Sequence, residues 1–125
     1  MPNILVIDDD TIMLKTIQYI LNKDGYNVVT ATDGREAYEL LDYSMYDVVI
    51  TDLRMPRMDG MELISKLKGS QQNRTLGIII VSMVKNKNTM ADAMQMGADY
   101  FLHKPIIVDE LRDTVKRLIQ KKTTN

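Results

Sequence analysis

Five short runs of β-branched and aliphatic residues punctuate the chain: Ile4–Ile7, Tyr26–Ala31, Val48–Ile50, Ile78–Val81 and Tyr100–Leu102. Segments of helical period lie between them. Apart from the second, the runs are continuously apolar rather than alternating, which suits strands buried on both faces of a parallel sheet. Asn27 and Thr30 interrupt the second run and place it at an edge. The first helical stripe is Ile12, Ile17, Ile20 and Leu21, stopped at Gly25. Ala37, Leu40 and Leu41 form the second, and Met61, Ile64 and Leu67 the third, ending at Gly69. Met90–Met96 is a short fourth ending at Gly97, and Leu111, Val115, Leu118 and Ile119 form the last. Strand and helix thus alternate five times, (βα)5. The expected fold is an α/β, doubly wound, five-stranded parallel sheet with right-handed crossovers and helices on both faces.

Composition narrows the chemistry. A chain of 125 residues is one domain by size and buries enough surface to fold without a disulfide or metal staple. It has no cysteine and one histidine, His103, which excludes thiolate sites, cysteine nucleophiles and histidine-clustered zinc. The net charge of −1 points to neither nucleic acid nor an anionic membrane. Apolar stretches such as Ile78–Val81 are far too short to span a bilayer. The start lacks the charged region of a secretory signal and meets acid at Asp8. A cytoplasmic domain is expected, alone or cut from a longer protein.

In an open α/β sheet, ligands sit beyond the carboxyl ends of the strands. Those places hold Asp8, Asp9 and Asp10 after the first strand, Asp52 after the third, Ser82 after the fourth, and Lys104 and Pro105 after the fifth. Carboxylates gathered this closely repel one another unless a cation or proton compensates. All the charged ligands are hard oxygens, which select Mg²⁺ over softer metals. Lys104 supplies a point charge for a phosphoryl oxygen and the Ser82 hydroxyl a hydrogen bond. A central carboxylate can attack phosphorus in line and become an acyl phosphate; Asp52, alone at the end of a central strand, is the candidate.

The residues Ile4-Leu-Val-Ile-Asp8-Asp9, Asp52-Leu-Arg-Met-Pro56, Met58-Asp59-Gly60, Ser82, Gly97-Ala98 and Lys104-Pro105 resemble the response-regulator receiver domain, the phosphoacceptor module of two-component signalling. The resemblance runs from Asn3 to Lys121. It implies the flavodoxin-like strand order 2-1-3-4-5, a receiver domain over residues 1–121, and a tail or linker start at 122–125. It also implies that Asp52 is phosphorylated and that Asp8, Asp9, Asp52 and the Arg54 backbone carbonyl hold Mg²⁺. Lys104 then binds the phosphoryl group, Ser82 and Phe101 are the switch pair, and Lys104–Pro105 is a cis peptide. The implied activity is a signalling switch, catalysing only its own phosphorylation and dephosphorylation. The implied partners are a sensor histidine kinase or phosphotransfer protein, a downstream output protein or domain reached through the helix 4–strand 5–helix 5 surface, and a second copy on phosphorylation. No direct contact with nucleic acid or membrane is implied.

Simpler roles compete at individual positions. Asp10 suits a helix cap, Asp59 a structural turn and His103 an ordinary strand end. Met90 and Met94, one turn apart, fit either core packing or an exposed partner surface. Lys116, Arg117, Lys121 and Lys122 are favourable charges at a helix C-terminus. Ile107 stands where a capping side chain is usual in the family. Arg54, Met83 and Val84 flank the phosphoryl site, and apolar Met83 and Val84 imply slow loss of the phosphoryl group. Three other functions fit less well. A phosphatase resembling the haloacid dehalogenase superfamily needs Thr where Ile12 stands, flavin phosphate would be repelled by three aspartates, and an inert scaffold has no use for a complete acceptor set.

Overall fold

A computed structural model describes residues 1–123. The elements are β1 (Asn3–Ile7), α1 (Thr11–Lys23), β2 (Asn27–Ala31), α2 (Gly34–Tyr43), β3 (Val48–Thr51), α3 (Gly60–Lys68), β4 (Gly77–Ser82), α4 (Lys87–Met96), β5 (Tyr100–His103) and α5 (Val108–Thr123). The strands form one parallel sheet in the order β2-β1-β3-β4-β5, so the polar second run does lie at an edge. The Lys104–Pro105 peptide is cis.

Alternation of side chains along each strand builds two cores, one on each face of the sheet. Leu5, Ile7, Val49, Ile78 and Ile80 meet α2, α3 and α4 on one face through Leu41, Leu63, Ile64, Leu67 and Ala93. Ile4, Val6, Val48, Ile50 and Ile79 meet α1 and α5 on the other through Leu14, Ile17, Leu21, Leu111, Val115 and Leu118. Burial of these aliphatic chains at roughly 25 cal/mol per Å² is the main force holding the layers together.

Helix starts follow side-chain chemistry. Asp10, Asp33, Asp59 and Asn86 cap α1 to α4, each accepting backbone N–H groups of the first turn. The capping role expected of Asp10 is borne out, and Asp59 is structural as expected. In α5 the Leu111 N–H donates to the Ile107 carbonyl, and Ile107 has no side-chain oxygen to add a cap. Asp109 and Glu110 in the first turn partly compensate through the helix dipole.

One expectation needs correction, and two others gain detail. Ile12 is 76% exposed, and the buried stripe of α1 is Leu14, Ile17 and Leu21. From Ile12 to Ile17 the helix turns about 140° away from the starting face, so the two share no stripe. On α4 only Ala93 is buried, while Met94 is 41% exposed and neither Met90 nor Met94 joins a core cluster. Finally, α5 continues through Lys122 to Thr123, so the expected tail at 122–125 begins inside a helix; positions 124 and 125 lie outside the described residues. No helix among the described residues is long and apolar enough to cross a membrane.

Candidate functional site

Strand register assembles the acidic pocket. Ile7 is paired with Thr51 across β1 and β3, so the residues that follow, Asp8 and Asp52, emerge side by side at the carboxyl edge. The Asp52 N–H donates to the Ile7 carbonyl at 3.3 Å, which extends the ladder by one step. At the other side Ser82 pairs with His103, and the Lys104 N–H donates to the Ser82 carbonyl at 3.0 Å. Lys104 therefore leaves the sheet from the same edge.

Its ammonium closes the pocket. Lys104 Nζ lies 2.8 Å from Asp8 Oδ2 and 2.8 Å from Asp52 Oδ2, and all three side chains are largely buried. The remaining carboxylate oxygens are held by backbone. Asp8 Oδ1 accepts the Asp10 N–H at 2.9 Å, while Asp52 Oδ1 accepts Leu53 N–H at 2.7 Å and Arg54 N–H at 3.4 Å. Burial pushes the Asp8 carboxyl above its ordinary value, and the Lys104 hydrogen bond only partly opposes this. Burial pulls the Lys104 ammonium down, but its bonds to Asp52 and Asp8 and their charges outweigh it, so its pKa lies above the ordinary value. The cation is thus firmly charged and shared by two acids.

Gly60 lets this edge close. A Cβ there would run into the Asp52 carbonyl oxygen and Leu53 Cα, so only glycine lets the start of α3 pass so near the carboxylate's own backbone. The Gly60 N–H donates to the Leu53 carbonyl at 2.9 Å.

Asp8, Asp52 and Lys104 are in direct contact, but the remaining expected residues surround them less closely. Ser82 is buried and its Oγ accepts the Val84 N–H at 3.2 Å. It lines a cavity of about 440 Å³ together with Asp52, Arg54, Met83 and Val84, room enough for a phosphoryl group. Met83 is 74% exposed, whereas Val84 is buried and packs into the core. Asp9 and Arg54 are exposed. Phe101 is half-buried against the α2–α3–α4 core, its ring 5.3 Å from that of His103.

Among the described residues no three acidic or histidine side chains form a ready-made metal cage. The donor set nevertheless suits Mg²⁺. Every candidate ligand is a hard oxygen, two are carboxylates on adjacent strands, and an ion bound by one or two carboxylates keeps its own water.

Sequence reasoning passed over Asn86, although Asn just before a helical run signals a cap, and Asp33-x-x-Glu36, a variant of the capping box in which Glu36 reaches back one residue beyond the cap. Asp33 accepts the Glu36 N–H at 2.8 Å and Glu36 accepts the Thr32 N–H at 2.7 Å.

A family model described as response regulator receiver domain matches residues 4–116. The chain is 32% identical over 120 residues to response regulator MprA of Mycolicibacterium vanbaalenii, covering 96% of this chain and 51% of that protein. It is 28% identical over 120 residues to sporulation initiation phosphotransferase F of Bacillus subtilis, covering 96% of this chain and 95% of that one. The receiver domain of Francisella response regulator 1452 superposes with a TM-score of 0.90 at 32% identity, covering 98% of this chain and 99% of that one. The chain spans about half the length of MprA and of the Bacillus subtilis regulator PhoP. With the sheet order, the acidic edge and these matches in agreement, the chain belongs to the family of response regulator receiver domains.

Proposed function

We propose that this receiver domain is a Mg²⁺-dependent phosphorylation switch that accepts a phosphoryl group on Asp52 from the phosphohistidine of a sensor kinase or phosphotransfer protein. One observation carries the reading. Asp52 is a buried carboxylate at the end of a central strand, with one oxygen held by backbone N–H groups and the other on a lysine that also binds Asp8.

In the transfer, Asp52 Oδ2 forms the new O–P bond as the donor's N–P bond breaks, and the imidazole leaves with its electron pair and takes a proton. The Leu53 N–H keeps Oδ1 fixed, so the attacking oxygen has one orientation. Lys104, released from bridging two acids, follows the charge onto a phosphoryl oxygen. Asp8, Asp9, Asp52 and the Arg54 carbonyl would hold Mg²⁺, which when bound supplies positive charge to the transferring group. The Ser82 oxygen then lets go of the Val84 N–H and its hydroxyl donates to a phosphoryl oxygen, and Phe101 turns into the space it leaves. Since α4 buries only Ala93, its displacement disturbs little core.

The output is a changed α4–β5–α5 surface, read by a downstream protein or domain or by a second copy. Residues 1–121 suffice for the switch, which works in the cytoplasm and turns over no metabolite. Incubation with acetyl phosphate and Mg²⁺ followed by intact-mass measurement tests the reading. The expected result is a gain of one phosphoryl group that is lost in Asp52→Asn; an unmodified parent, or an equally modified variant, overturns it.

A further inference from the structure

The loop between β3 and α3 is tied to a helix that takes no part in the acidic pocket. Arg57, in this loop, has φ 70°, a left-handed backbone that a long side chain adopts only at a cost. The Met58 N–H donates to the Pro56 carbonyl at 2.8 Å, closing a three-residue turn around Arg57 of a rare and strained kind. Such a conformation persists only where its surroundings over-determine it. Two contacts do so. The Arg57 guanidinium lies 3.3 Å from Oδ2 of Asp33, the buried cap of α2. Beside it the Met58 carbonyl rests directly on Gly34, where a Cβ would collide with it. The far end of the same loop is fixed by Gly60 against Asp52 and Leu53.

We propose that Arg57 is a positioning residue for the phosphoacceptor site. Its strained turn and its tether to Asp33 hold the β3–α3 loop against α2, and so fix the backbone of residues 53–55 beside Asp52. The inference rests on the reading of the acidic pocket as a Mg²⁺-dependent phosphoacceptor, since it assigns the Arg54 carbonyl to the metal. Asp33 divides its oxygens between the two tasks: Oδ1 caps α2 through the Glu36 N–H, and Oδ2 takes Arg57. The tether can therefore be cut without uncapping the helix, because Asn caps as well as Asp. Arg57 is 69% exposed, so the pair is weak by itself and its effect on global stability is small. Its effect is local, on a loop that is anchored in the core through Leu53 but only partly through Met55 and Met58.

Arg57→Ala, Arg57→Lys, Asp33→Asn and the double variant Arg57→Ala/Asp33→Asn test this. Two measurements are needed: Mg²⁺ titration followed by amide NMR, and hydrogen exchange of the Arg54, Met55 and Met58 amides in metal-free protein. Arg57→Ala and Asp33→Asn should each weaken Mg²⁺ binding about two- to fivefold, with the double variant no weaker than either. Each should also speed exchange in the loop without speeding it in β3, and Arg57→Lys should restore most of both. Unchanged affinity and exchange in Arg57→Ala overturns the tether. A parent protein that binds no Mg²⁺ overturns the reading of the pocket, and the metal-free exchange then still decides whether Arg57 orders the loop.

Discussion

Replacing Lys104 by Met removes a cation and keeps most of the volume. What remains is Asp8 and Asp52, both previously 2.8 Å from the same ammonium, facing each other with no compensating charge. Removing one partner of a buried ion pair costs about 3–5 kcal/mol. We expect the low end, about 3 kcal/mol at neutral pH, because Asp8 and Asp52 keep their backbone N–H bonds. For a domain of this size that lowers the midpoint of thermal unfolding by roughly 10 °C. The pH dependence carries the sign. Burial raises the Asp8 carboxyl in the folded state, so the folded protein holds that proton more tightly than the unfolded chain. Stability from this group therefore falls as pH rises from the ordinary carboxylate value to the folded one. Without Lys104 the opposing hydrogen bond and charge are gone, so the folded Asp8 value climbs further and the fall extends to higher pH. Urea unfolding followed by far-ultraviolet circular dichroism between pH 4 and 8 (a range about the ordinary carboxylate and neutral values) reads both effects. The loss relative to the parent should shrink on acidification, and Mg²⁺ should stabilise the variant more than the parent. A loss below about 0.5 kcal/mol at pH 7, or one that grows on acidification, refutes the shared-cation account.

Asp9→Ala should abolish most of the Mg²⁺-dependent rise in unfolding temperature while the metal-free midpoint stays near that of the parent, because Asp9 is exposed; calorimetry with and without Mg²⁺ checks it. Met83→Ala should speed loss of phosphate from phospho-Asp52, up to about tenfold, by opening the apolar wall of the cavity; the decay of labelled protein measures it. Ile12→Ala should change stability by less than about 0.5 kcal/mol, and Ile17→Ala should cost about 2–5 kcal/mol, by chemical denaturation.

The sheet was legible because its three inner strands, β1, β3 and β4, are buried on both faces and show as unbroken apolar runs, whereas β5, equally apolar in sequence, is a half-buried strand at the second edge. The ends of those strands were not. Thr51, Ser82 and His103 all pair in the ladder, but a reading by hydrophobicity stops one residue short at each. The identities of Asp8, Asp52 and Lys104 follow from their place after a strand. That one ammonium bridges both acids depends on the pairing of Ile7 with Thr51, and a single sequence holds no record of register. Ile12 was assigned to the buried stripe because it is apolar, though its angular position faces away from Ile17. Likewise, Met90 and Met94 stand out on α4 by their one-turn spacing, while the buried residue of the helix is the small Ala93. Arg57 carried no signal at all. Its partner is Asp33, and neither a charged residue in a loop nor a positive φ shows in composition or period.

Whole βα repeats have a consequence for how such a unit can be joined to others. The first strand begins, and the last helix finishes, at the pole opposite the acidic pocket, where Met1, Pro2 and Asp47 share a hollow with Ile119 and Lys122. Polypeptide attached at either point therefore leaves the body at the end away from Asp8, Asp52 and Lys104. A module joined there lies beside the flanks of the sheet and its helices rather than over the edge that carries the acids. A junction at that pole leaves the acidic edge uncovered by the junction itself.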